Sequence, residues 1–544
     1  MAIDKKKLQE LMKIHETLRN ERGSWDAIWQ EIIKYMGMSY GAWQDVGSNQ
    51  APKYEVKDTT AREASDTLAD GVEGYAFNRT TAWFDYQIKS VKEGTDKKTA
   101  DALVKKVKKL AYLWLSESNF YDEAAGLIRA CADLSTATMA FDFDRKRTIP
   151  VFECVHNKDY CIVTDRYGEV DTLIRYVYMT KKEAMAFFGE DKLPKEIATD
   201  QDFLKKWKFT KMVGPIESWD LDVEGQGDWF EIYWYEGFDS VLMERRMTAP
   251  DFTTWRWRRQ TFGGSWGVDS PGMACLPIMK FVNVLQEDVI VLSELIAKGH
   301  WKKTKGLKVN FKAGSVTEIE SGQDFARMQY TGDLSWLQEH INYYRNVITT
   351  AYKTDLFLIL SQNIEKVKTA TEVAGIESEK NSLMASFFSR LSKEFLSPVL
   401  LWLFKTVMIY GANAGLVVTK EEIEALEDME IEVSFASPMF NSQQRAFELQ
   451  PTINFVNEVI SIAQVKPEAI DRINFDALVD MMHSLTQASA DVLVDMETAS
   501  RMREKRAQAQ AQMMQMQAGA AEQEQARKNA ETQAKIAQMQ GAAR

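Results

Sequence analysis

The sequence predicts an α+β protein that is mainly helical, and three patterns along its 544 residues support that prediction. The first 145 or so residues, and most residues after about 280, carry apolar side chains at three- and four-residue intervals, as amphipathic helices do. Between Phe141 and about Phe262, aromatic and β-branched residues alternate with polar ones, which favours an antiparallel sheet. Residues 368 to 400 predict one helix longer than most globular domains use.

Start and stop signals place the helices of the N-terminal region. The predicted elements are an opening helix to Met36, a Gly/Ser/Asn/Pro-rich loop from Gly37 to Pro52, a helix from Thr59 to Gly74 and two more helices between Lys98 and Met139. In the sheet region that follows, one helix with the sequence KKEAMAFFG interrupts the strands. The alternation Trp255, Arg256, Trp257, Arg258 predicts a strand with its tryptophans buried and its arginines in solvent.

Two helices joined by a small β segment are predicted after the sheet region. The first helix runs from Phe281 to about His300, and residues 301 to 333 contain two strand-like runs, GLKVNF and DFARMQY. The second helix runs from Leu334 to Tyr352, with one apolar face formed by Leu337, Ile341, Tyr344 and Ile348.

The long helix predicted for residues 368 to 400 begins with the capping-box spacing of Thr369 and Glu372. Its length from Ala370 to Ser397 corresponds to about 40 Å, and Pro398 is expected to kink or stop it. Its apolar stripe consists of Val373, Ile376, Leu383, Phe387, Leu391 and Phe395.

The C-terminal region is predicted to be helical from about Lys420 to Ala499, and it is followed by a tail dominated by Ala, Gln and Met. These residues are good helix formers, but the tail has little apolar surface with which to pack. It is therefore either a disordered tail or a helix that needs neighbours.

The formal net charge of −12 argues against a protein that coats nucleic acid through a basic surface, although it is compatible with one that DNA merely passes. The four cysteines predict reduced, mostly buried thiols of an intracellular protein. The apolar run FLSPVLLWLFKTVMIYGANAGLVV is interrupted by Pro398 and Lys405 short of the roughly 20 residues of a membrane span, which predicts a buried helix. The charged N-terminus lacks the apolar centre of a signal peptide.

Motifs for catalysis or metal binding are weak throughout the chain. There is no P-loop motif, so an ATP-driven motor is not expected. Residues 263 to 267 match the G-x-S-x-G pattern around Ser265, but Pro271 and Pro277 are expected to forbid the helix that a nucleophile elbow needs. Cys154, His156 and Cys161 lie in a predicted strand whose side chains alternate, which disfavours a shared metal. No catalytic, cofactor or metal site is predicted.

A basic cluster lies between the two predicted helices and is formed by Lys302, Lys303, Lys305 and Lys308. Such a run is commonly a solvated loop. Because this one marks the end of a helical pair, it is also a candidate for contacting an acidic partner or DNA.

Six segments together resemble the head-to-tail connecting (portal) proteins of short-tailed, double-stranded DNA bacteriophages. They are RNERGSWDAIWQEIIKYM, KDTTAREASDTLADGVEGYAFNRTTAWFDYQI, NFYDEAAGLIRACADLSTATMAFDFD, WGVDSPGMACLPIMKFVNVLQEDV, TATEVAGIESEKNSLMASFFSRLSKEFLSPVL and EVSFASPMFNSQQR. The family usually has Tyr-Gly where this chain has Trp266-Gly267, and often a proline where Arg79 stands.

The resemblance implies a portal fold, in a ring-forming subunit with wing, stem, clip and crown regions. Its expected boundaries are an N-terminal wing at 1–280, stem helix 1 at 281–300, a clip at 301–333, stem helix 2 at 334–352, a tunnel loop at 353–368, a long wing helix and following helix at 369–419, a crown at 420–499 and a C-terminal helix or tail at 500–544.

The function that the resemblance implies is that of a non-enzymatic dodecameric ring at one capsid vertex, the head–tail junction of the virion, assembled in the host cytoplasm. Its channel would pass double-stranded DNA during packaging and ejection. Its partners would be the terminase packaging motor at the clip, then tail adaptor and nozzle proteins, and the major capsid and scaffolding proteins, with no membrane and no cofactor. The tunnel-loop residues expected to meet DNA are Ser361, Gln362, Asn363, Lys366 and Lys368.

Two alternatives are distinguishable from a portal. Another virion structural protein, of capsid or baseplate, would share the acidic, aromatic-rich composition but lack the helix-tip-helix unit. A serine hydrolase would use Ser265 with a remote histidine and would react with a fluorophosphonate.

Overall fold

The first structural unit of the protein combines helices with antiparallel sheets, and the second is helical where it is described. The units comprise residues 1–443 and 444–544. The predicted α+β class is thereby confirmed. The computed structural model describes residues 3–37, 56–90, 97–238, 240–261, 263–298, 301–309, 318–322, 324–328, 334–355, 357, 384, 386–416, 430–435, 450–463, 466, 468, 473–486, 494 and 496–541.

Four helices and one strand begin the first unit. They are α1 (Lys5–Met36), α2 (Thr60–Ala76), β1 (Phe84–Ser90), α3 (Lys97–Glu117) and α4 (Phe120–Leu134). Asp4 caps α1 by accepting a backbone hydrogen bond, and Gly37 ends it in the left-handed conformation. The predicted helices are confirmed, except that the last one ends at Leu134, so that Met139 lies in a strand. The predicted loop up to Pro52 lies outside the described residues beyond Gly37.

A five-stranded antiparallel sheet confirms most of the predicted sheet region. Its strands, in sheet order, are β4 (Tyr160–Thr164), β5 (Val170–Thr180), β6 (Lys206–Pro215), β7 (Trp229–Trp234) and β8 (Met243–Met247). Leu8 and Leu11 of α1 pack against one face of this sheet. The predicted interrupting helix, α5 (Lys181–Phe188), packs Phe188 against the other face. Two short helices, α6 (Lys195–Thr199) and α7 (Ile216–Trp219), lie in the connections on either side of β6.

A three-stranded antiparallel sheet, in the order β3 (Ile149–Val155), β2 (Thr136–Asp144) and β9 (Phe252–Arg256), joins the main core. The prediction that the arginines after Trp255 face solvent is wrong for Arg256, which is 1% exposed. Arg256 is buried because Glu394 accepts hydrogen bonds from its backbone N–H at 2.9 Å and from its guanidinium at 3.0 Å. Arg258 is exposed, as predicted.

Two helices, α8 (Pro271–Lys298) and α9 (Leu334–Ala351), pack together as a helical hairpin. The prediction that Pro271 and Pro277 forbid a helix is wrong, and α8 begins ten residues before the predicted start at Phe281. Pro271 takes the first helical position, where no intrahelical donor is needed, and Pro277 is accommodated within the helix. The second helix of the pair is confirmed, with Ile341 and Ile348 buried on its predicted apolar face.

The region around Pro398 stays helical rather than stopping. A π-helical turn, Ser392–Leu396, leads directly into α10 (Ser397–Tyr410), and the Ser397 N–H donates to the Ser392 carbonyl. Pro398 has no N–H to offer the Glu394 carbonyl, which accepts the hydroxyl of Thr253 instead. The predicted stop is therefore wrong, and the predicted kink stays a prediction. The earlier part of the predicted long helix, including its capping box at residues 369–372, lies outside the described residues.

The stretch Ser386–Ala414 is long and apolar enough to cross a membrane by length and composition. Half of its most apolar window is buried inside the protein, and Val399, Leu400 and Val407 belong to the main core. Tyr86 donates its hydroxyl to the Leu400 carbonyl and packs edge-on against Phe404. We therefore interpret this stretch as the buried core helix that the sequence predicts.

The strand β12 (Glu430–Phe435) corrects the prediction of a wholly helical region from 420 to 499. It pairs antiparallel with β1, from Phe84 opposite Phe435 to Ser90 opposite Glu430. A single strand such as β1 leaves its backbone groups unpaired, and β12 satisfies those along one edge. This strand belongs to the first unit, which ends at residue 443.

The second unit contains the helices α11 (Gln450–Ala463), α12 (Phe475–Thr486) and α13 (Met496–Gly541). The sequence leaves two alternatives for the Ala/Gln/Met-rich tail, a disordered tail or a helix. In the structure it is a helix. Its described side chains from residue 500 onward are exposed, and Arg503 forms an ion pair with Asp476 of α12. The four cysteines are unbonded and three of them are buried, as predicted.

The end of α4 is where most elements of the first unit meet, at residues 133–136, which we call the 133–136 junction. Ser135 adopts a left-handed conformation with φ of 66°. Gly267 and Gly272 approach so closely that an added Cβ would lie 2.1 Å from the Ser135 carbonyl oxygen and 2.3 Å from that of Asp133. The junction forms hydrogen bonds with Trp29, Ser65, Asn157, Trp257, Gly267, Ser270 and Tyr352.

Substitution of Gly272 by alanine is expected to lower the melting temperature of the protein, because the Asp133 backbone cannot withdraw without disturbing its neighbours. Overpacking of this kind costs about 1–3 kcal/mol or more. The matched control is Gly74→Ala within α2, where nothing lies within 4 Å of the added Cβ. That variant should be stabilised by roughly 0.5–1 kcal/mol. Equal melting temperatures for the two variants in differential scanning calorimetry would contradict the close approach.

Candidate docking surface at the hairpin tip

The two hairpin helices run in opposite directions between the 133–136 junction and a small β tip. α8 leaves the junction at Ser270, whose hydroxyl donates to the Asp133 carbonyl and accepts the Met273 N–H. α9 returns to it at Tyr352, whose hydroxyl donates to the Asp133 carboxylate at 2.7 Å. The 28 residues of α8 span about 42 Å at 1.5 Å per residue. The tip is therefore held away from the core by helices fixed at their base.

The tip contains two short antiparallel strands, β10 (Trp301–Lys303) and β11 (Phe325–Arg327), with Lys302 opposite Ala326. The second lies within the predicted run DFARMQY. The first lies ahead of the predicted run GLKVNF, whose described part is not a strand. A turn forms there instead, because Gly306 has φ of 96° and the Leu307 N–H donates to the Thr304 carbonyl at 3.1 Å. Leu307 is buried beneath the turn.

The four lysines predicted to form a docking surface are all exposed, and they lie together on this tip. Two of them also hold the tip in shape. The Lys302 ammonium lies 3.0 Å from the Asp324 carboxylate, and the Lys303 ammonium donates to the Leu307 carbonyl at 3.0 Å. Lys305 and Lys308 stand on either side of the turn, where their charges face solvent.

An aromatic pair that the sequence patterns did not predict completes the tip. The rings of Trp301 and Phe325 stack with centroids 4.8 Å apart and planes 7° apart. Trp301 is 43% exposed, and Met328 and Ile319 are also exposed. In the sequence, this pair is indicated by a tryptophan directly before Lys302. That tryptophan lies outside the apolar pattern of both predicted helices. Exposed aromatic side chains beside cations are typical of protein-binding surfaces.

The outer half of the hairpin also carries large apolar side chains that stay exposed in the described part of the chain. The buried residues of α8 lie in its first half and end at Leu285. Beyond that point Ile290, Val291 and Ile296 are 44–49% exposed, and on α9 Trp336 and Tyr343 are more than half exposed. We call these five residues the exposed hairpin residues. Large apolar side chains on two neighbouring helices indicate a surface that another molecule covers.

The base of the hairpin carries a carboxyl group with an unusual proton affinity. Asp133 is fully buried and accepts hydrogen bonds from the hydroxyls of Ser65 and Tyr352. Burial raises its pKa to about 7, because a charged carboxylate is poorly solvated there, and the two hydrogen bonds oppose that rise. The contact that ties α9 to the junction therefore titrates near neutral pH.

The residues expected to line a channel, Ser361, Gln362, Asn363, Lys366 and Lys368, lie outside the described residues. Their role stays a prediction.

Ser265 does not lie at a nucleophile elbow. It lies six residues before the first residue of α8, in a loop bridged by Arg259 and Gly267, and its hydroxyl is 3.4 Å from that of Thr164. The helix that the elbow needs is present, contrary to the prediction, but it starts too late in the chain to follow the serine directly.

The chain matches the family described as "Bacteriophage head to tail connecting protein" over residues 8–494. It is 24% identical over 517 residues to the "Probable portal protein" of Bordetella phage BPP-1, covering 90% of this chain and 89% of that protein. It is also 24% identical over 523 residues to the "Portal protein" of Salmonella phage epsilon15, covering 92% of this chain and 91% of that protein.

Asp133→Asn is expected to become more stable relative to the wild-type protein as the pH rises from 5 to 8. Because the folded protein raises this pKa from 3.8 to about 7, the carboxyl stabilises the fold below pH 4 and loses that contribution as the pH rises through 7. The full effect corresponds to at most about 4 kcal/mol. The measurement is the melting temperature of both proteins at pH 5 and pH 8.

Ser65→Ala is the matched control for this prediction, because it removes one hydrogen bond of Asp133 but keeps the titrating group. It should be less stable than the wild type at both pH values and should keep most of the pH dependence. A constant difference between Asp133→Asn and the wild type across this range would contradict the raised pKa.

Proposed function

This chain belongs to the bacteriophage head to tail connecting protein family and acts as a phage portal, and we propose that it does so as a closed ring around a channel for double-stranded DNA. The ring would be a dodecamer at one capsid vertex, at the head–tail junction of the virion, assembled in the host cytoplasm. Family membership supports a connecting role in the phage particle.

The observation that carries the ring proposal is the exposure of the five exposed hairpin residues. A portal ring repeats one heterologous interface, in which a surface of each subunit meets a different surface of its neighbour. The exposed hairpin residues lie on a helical pair whose base is fixed by the 133–136 junction. A rigid element with uncovered apolar side chains suits such an interface, because little conformational freedom is lost when a neighbour packs on it.

The tip suits a docking role for the packaging motor and later for the tail. The stacked pair Trp301 and Phe325 offers apolar contact, and Lys305 and Lys308 offer charge to an acidic partner. We propose the terminase motor as the first partner of this surface, followed by tail adaptor and nozzle proteins. The major capsid and scaffolding proteins would contact the outer parts of the ring.

The regions of the subunit follow from this arrangement. We propose α8 and α9 as the stem, residues 301–333 as the clip and the preceding helices and sheets as the wing. Residues 353–368 would form the tunnel loop, with Lys366 and Lys368 meeting DNA. Residues 420–499 would form the crown, followed by the C-terminal helix of residues 500–544. The acidic charge of −12 on each subunit lets DNA slide, because the field of a ring of such subunits repels the phosphates.

The double substitution Val291→Asp and Ile296→Asp is expected to prevent ring formation, because it buries two uncompensated charges at each interface. The measurement is native mass spectrometry with class averages from electron microscopy, in which the wild type should appear as a ring near twelve subunits. The control is Phe203→Asp with Leu204→Asp, two side chains that are 73% and 87% exposed in a loop outside the hairpin. Intact rings of the Val291→Asp, Ile296→Asp variant would contradict the proposal. So would a stable closed dimer or trimer of the wild type.

Charge reversal at Lys302, Lys303 and Lys305 to glutamate is expected to weaken capture of the tail adaptor at least tenfold while leaving the ring intact, because it replaces attraction by repulsion at the tip. The measurement is a pull-down of purified rings against the adaptor at two salt concentrations. Reversal of Lys105, Lys106 and Lys109 on α3 makes the same change of charge elsewhere and should leave binding unchanged. Equal loss in both variants would point to net charge rather than to the tip.

A further inference from the structure

The loop between α6 and β6 presents two adjacent apolar side chains to solvent. Phe203 is 73% exposed and Leu204 is 87% exposed, more than any other large apolar side chain among the residues that the structure describes. We call them the 203–204 pair. Two neighbouring side chains of this kind give up the stabilisation that burial would provide, which indicates a surface that another molecule covers.

The backbone around the 203–204 pair is held by two aspartates of the same loop. The Asp202 carboxylate accepts the N–H of Leu204 at 2.9 Å and that of Lys205 at 3.2 Å. The Asp200 carboxylate accepts hydrogen bonds from the Asp202 N–H and from the Lys205 ammonium, both at 2.9 Å. Side chains that bond to the backbone a few residues on fix the conformation of a turn. The pair is therefore pre-organised, and little conformational freedom is lost when a partner covers it.

A pocket of about 210 Å³ lies between α4 and the end of β3, and we call it the α4 pocket. Its apolar wall includes Ala130, Leu134 and Val155. Glu123 and Cys154 also line it and are only half-buried, so that the pocket opens to the surface. The Glu123 carboxylate accepts the Cys154 N–H at 2.8 Å, which joins the helix to the strand. An apolar cavity of about 150 Å³ is enough to bind benzene, so the α4 pocket has room for a phenyl ring.

A glycine in the middle of α4 keeps this pocket open. Gly126 lines the pocket, at a helical position where glycine is less favourable than alanine. A Cβ added to Gly126 would lie 3.9 Å from the Cβ of Cys154, which is an ordinary van der Waals distance. The fold of the described chain therefore has room for alanine at this position. The missing side chain instead leaves space for a group that enters the pocket from outside.

Each chain thus carries both halves of one contact, an exposed apolar pair and an apolar pocket of matching size. A heterologous interface needs two such different surfaces on every subunit. Their charges also match, because Lys206 is exposed two residues after Leu204, and Glu123 lies at the mouth of the pocket. The partner that these observations favour is a second copy of this chain.

We propose that Phe203 of one subunit inserts into the α4 pocket of a second copy of this chain, with Leu204 at the mouth of the pocket. This inference rests on the proposed function, because the two copies are neighbours in the ring. The exposed hairpin residues already carry the ring contact, so the second contact strengthens the ring without being needed to form it. Removal of the 203–204 pair therefore leaves rings that dissociate more easily.

The cysteine of the pocket allows a direct test, because Cys154 is half-buried whereas the other three cysteines are buried. Full-length Phe203→Cys rings are oxidised with copper phenanthroline and run on a denaturing gel without reductant. We expect a ladder of dimers, trimers and larger species, since the introduced thiol would lie beside Cys154 of the next subunit. Phe203→Cys combined with Cys154→Ser should give monomers. Tyr167→Cys, at a side chain that is 70% exposed in the turn between β4 and β5, is the matched control and should give no ladder.

Dilution of the rings measures the strength of the contact. Phe203→Ala removes the inserted group, and Gly126→Leu fills the pocket that receives it. In mass photometry, rings of both variants should dissociate at a protein concentration roughly tenfold or more above that of wild-type rings, as expected for loss of a buried aromatic anchor. Phe203→Ala changes an exposed side chain and leaves the fold of the subunit intact, so its result stands even if Gly126→Leu does not fold.

The native mass of each protein separates the possible failures. If the wild type forms no ring, the proposed function itself fails. If the wild type forms rings but Phe203→Cys gives no ladder, the contact with the α4 pocket is overturned while the ring stands. A ladder that persists with Cys154→Ser would show that the loop meets a different surface, which also overturns the contact. So would rings of Phe203→Ala that dissociate at the same concentration as those of the wild type.

Discussion

The close approach of two backbone segments at the 133–136 junction is the constraint on which the rest of the first unit depends. Gly267 and Gly272 lie against the carbonyl oxygens of Ser135 and Asp133 at distances that leave no room for a side chain. The turn at Ser135 exposes those carbonyls, and Trp29, Trp257 and the Asn157 side chain bond to the same short segment. One helix end thus fixes the position of α1, of both sheets and of the hairpin together.

This arrangement divides the hairpin into a fixed base and an exposed end, and the division explains where its functional surfaces lie. Near the junction, the buried side chains of α8 belong to the main core, so a single chain already satisfies them. Beyond Leu285 α8 has no buried residue, and Ile290, Val291 and Ile296 are exposed in the described part of the chain. These three side chains would contribute more to stability in an assembly that covers them. The tip, with its own ion pair and turn, is shaped independently of the core.

Local patterns predicted the helices and the sheet because each depends on neighbours in sequence, as the confirmed end of α1 at Met36 and the confirmed apolar face of α9 show. The errors fall where distant residues decide. Arg256 was expected in solvent, but its partner Glu394 comes from a helix 138 residues further along the chain. The helical start at Pro271 depends on Ser270, which is bonded to the junction. Residues 430–435 form the strand β12 because they pair with β1, which lies far away in the sequence. At the tip, the lysines were found by charge alone, whereas the stacking of Trp301 on Phe325 required the register of two strands.

The proline at 398 shows how a local misfit can serve a distant contact. Because Pro398 cannot bond to the Glu394 carbonyl, that oxygen is left for Thr253 of β9, and the turn before it widens to a π-helix. The widened turn presents the Glu394 carboxylate to Arg256 and Arg259. A buried ion pair contributes little net stability compared with well-packed apolar residues in the same place. Its main effect is therefore to determine which groups pair. Here it fixes Arg256 of β9 against the π-helical turn that carries Glu394, so that strand and helix meet at one defined position.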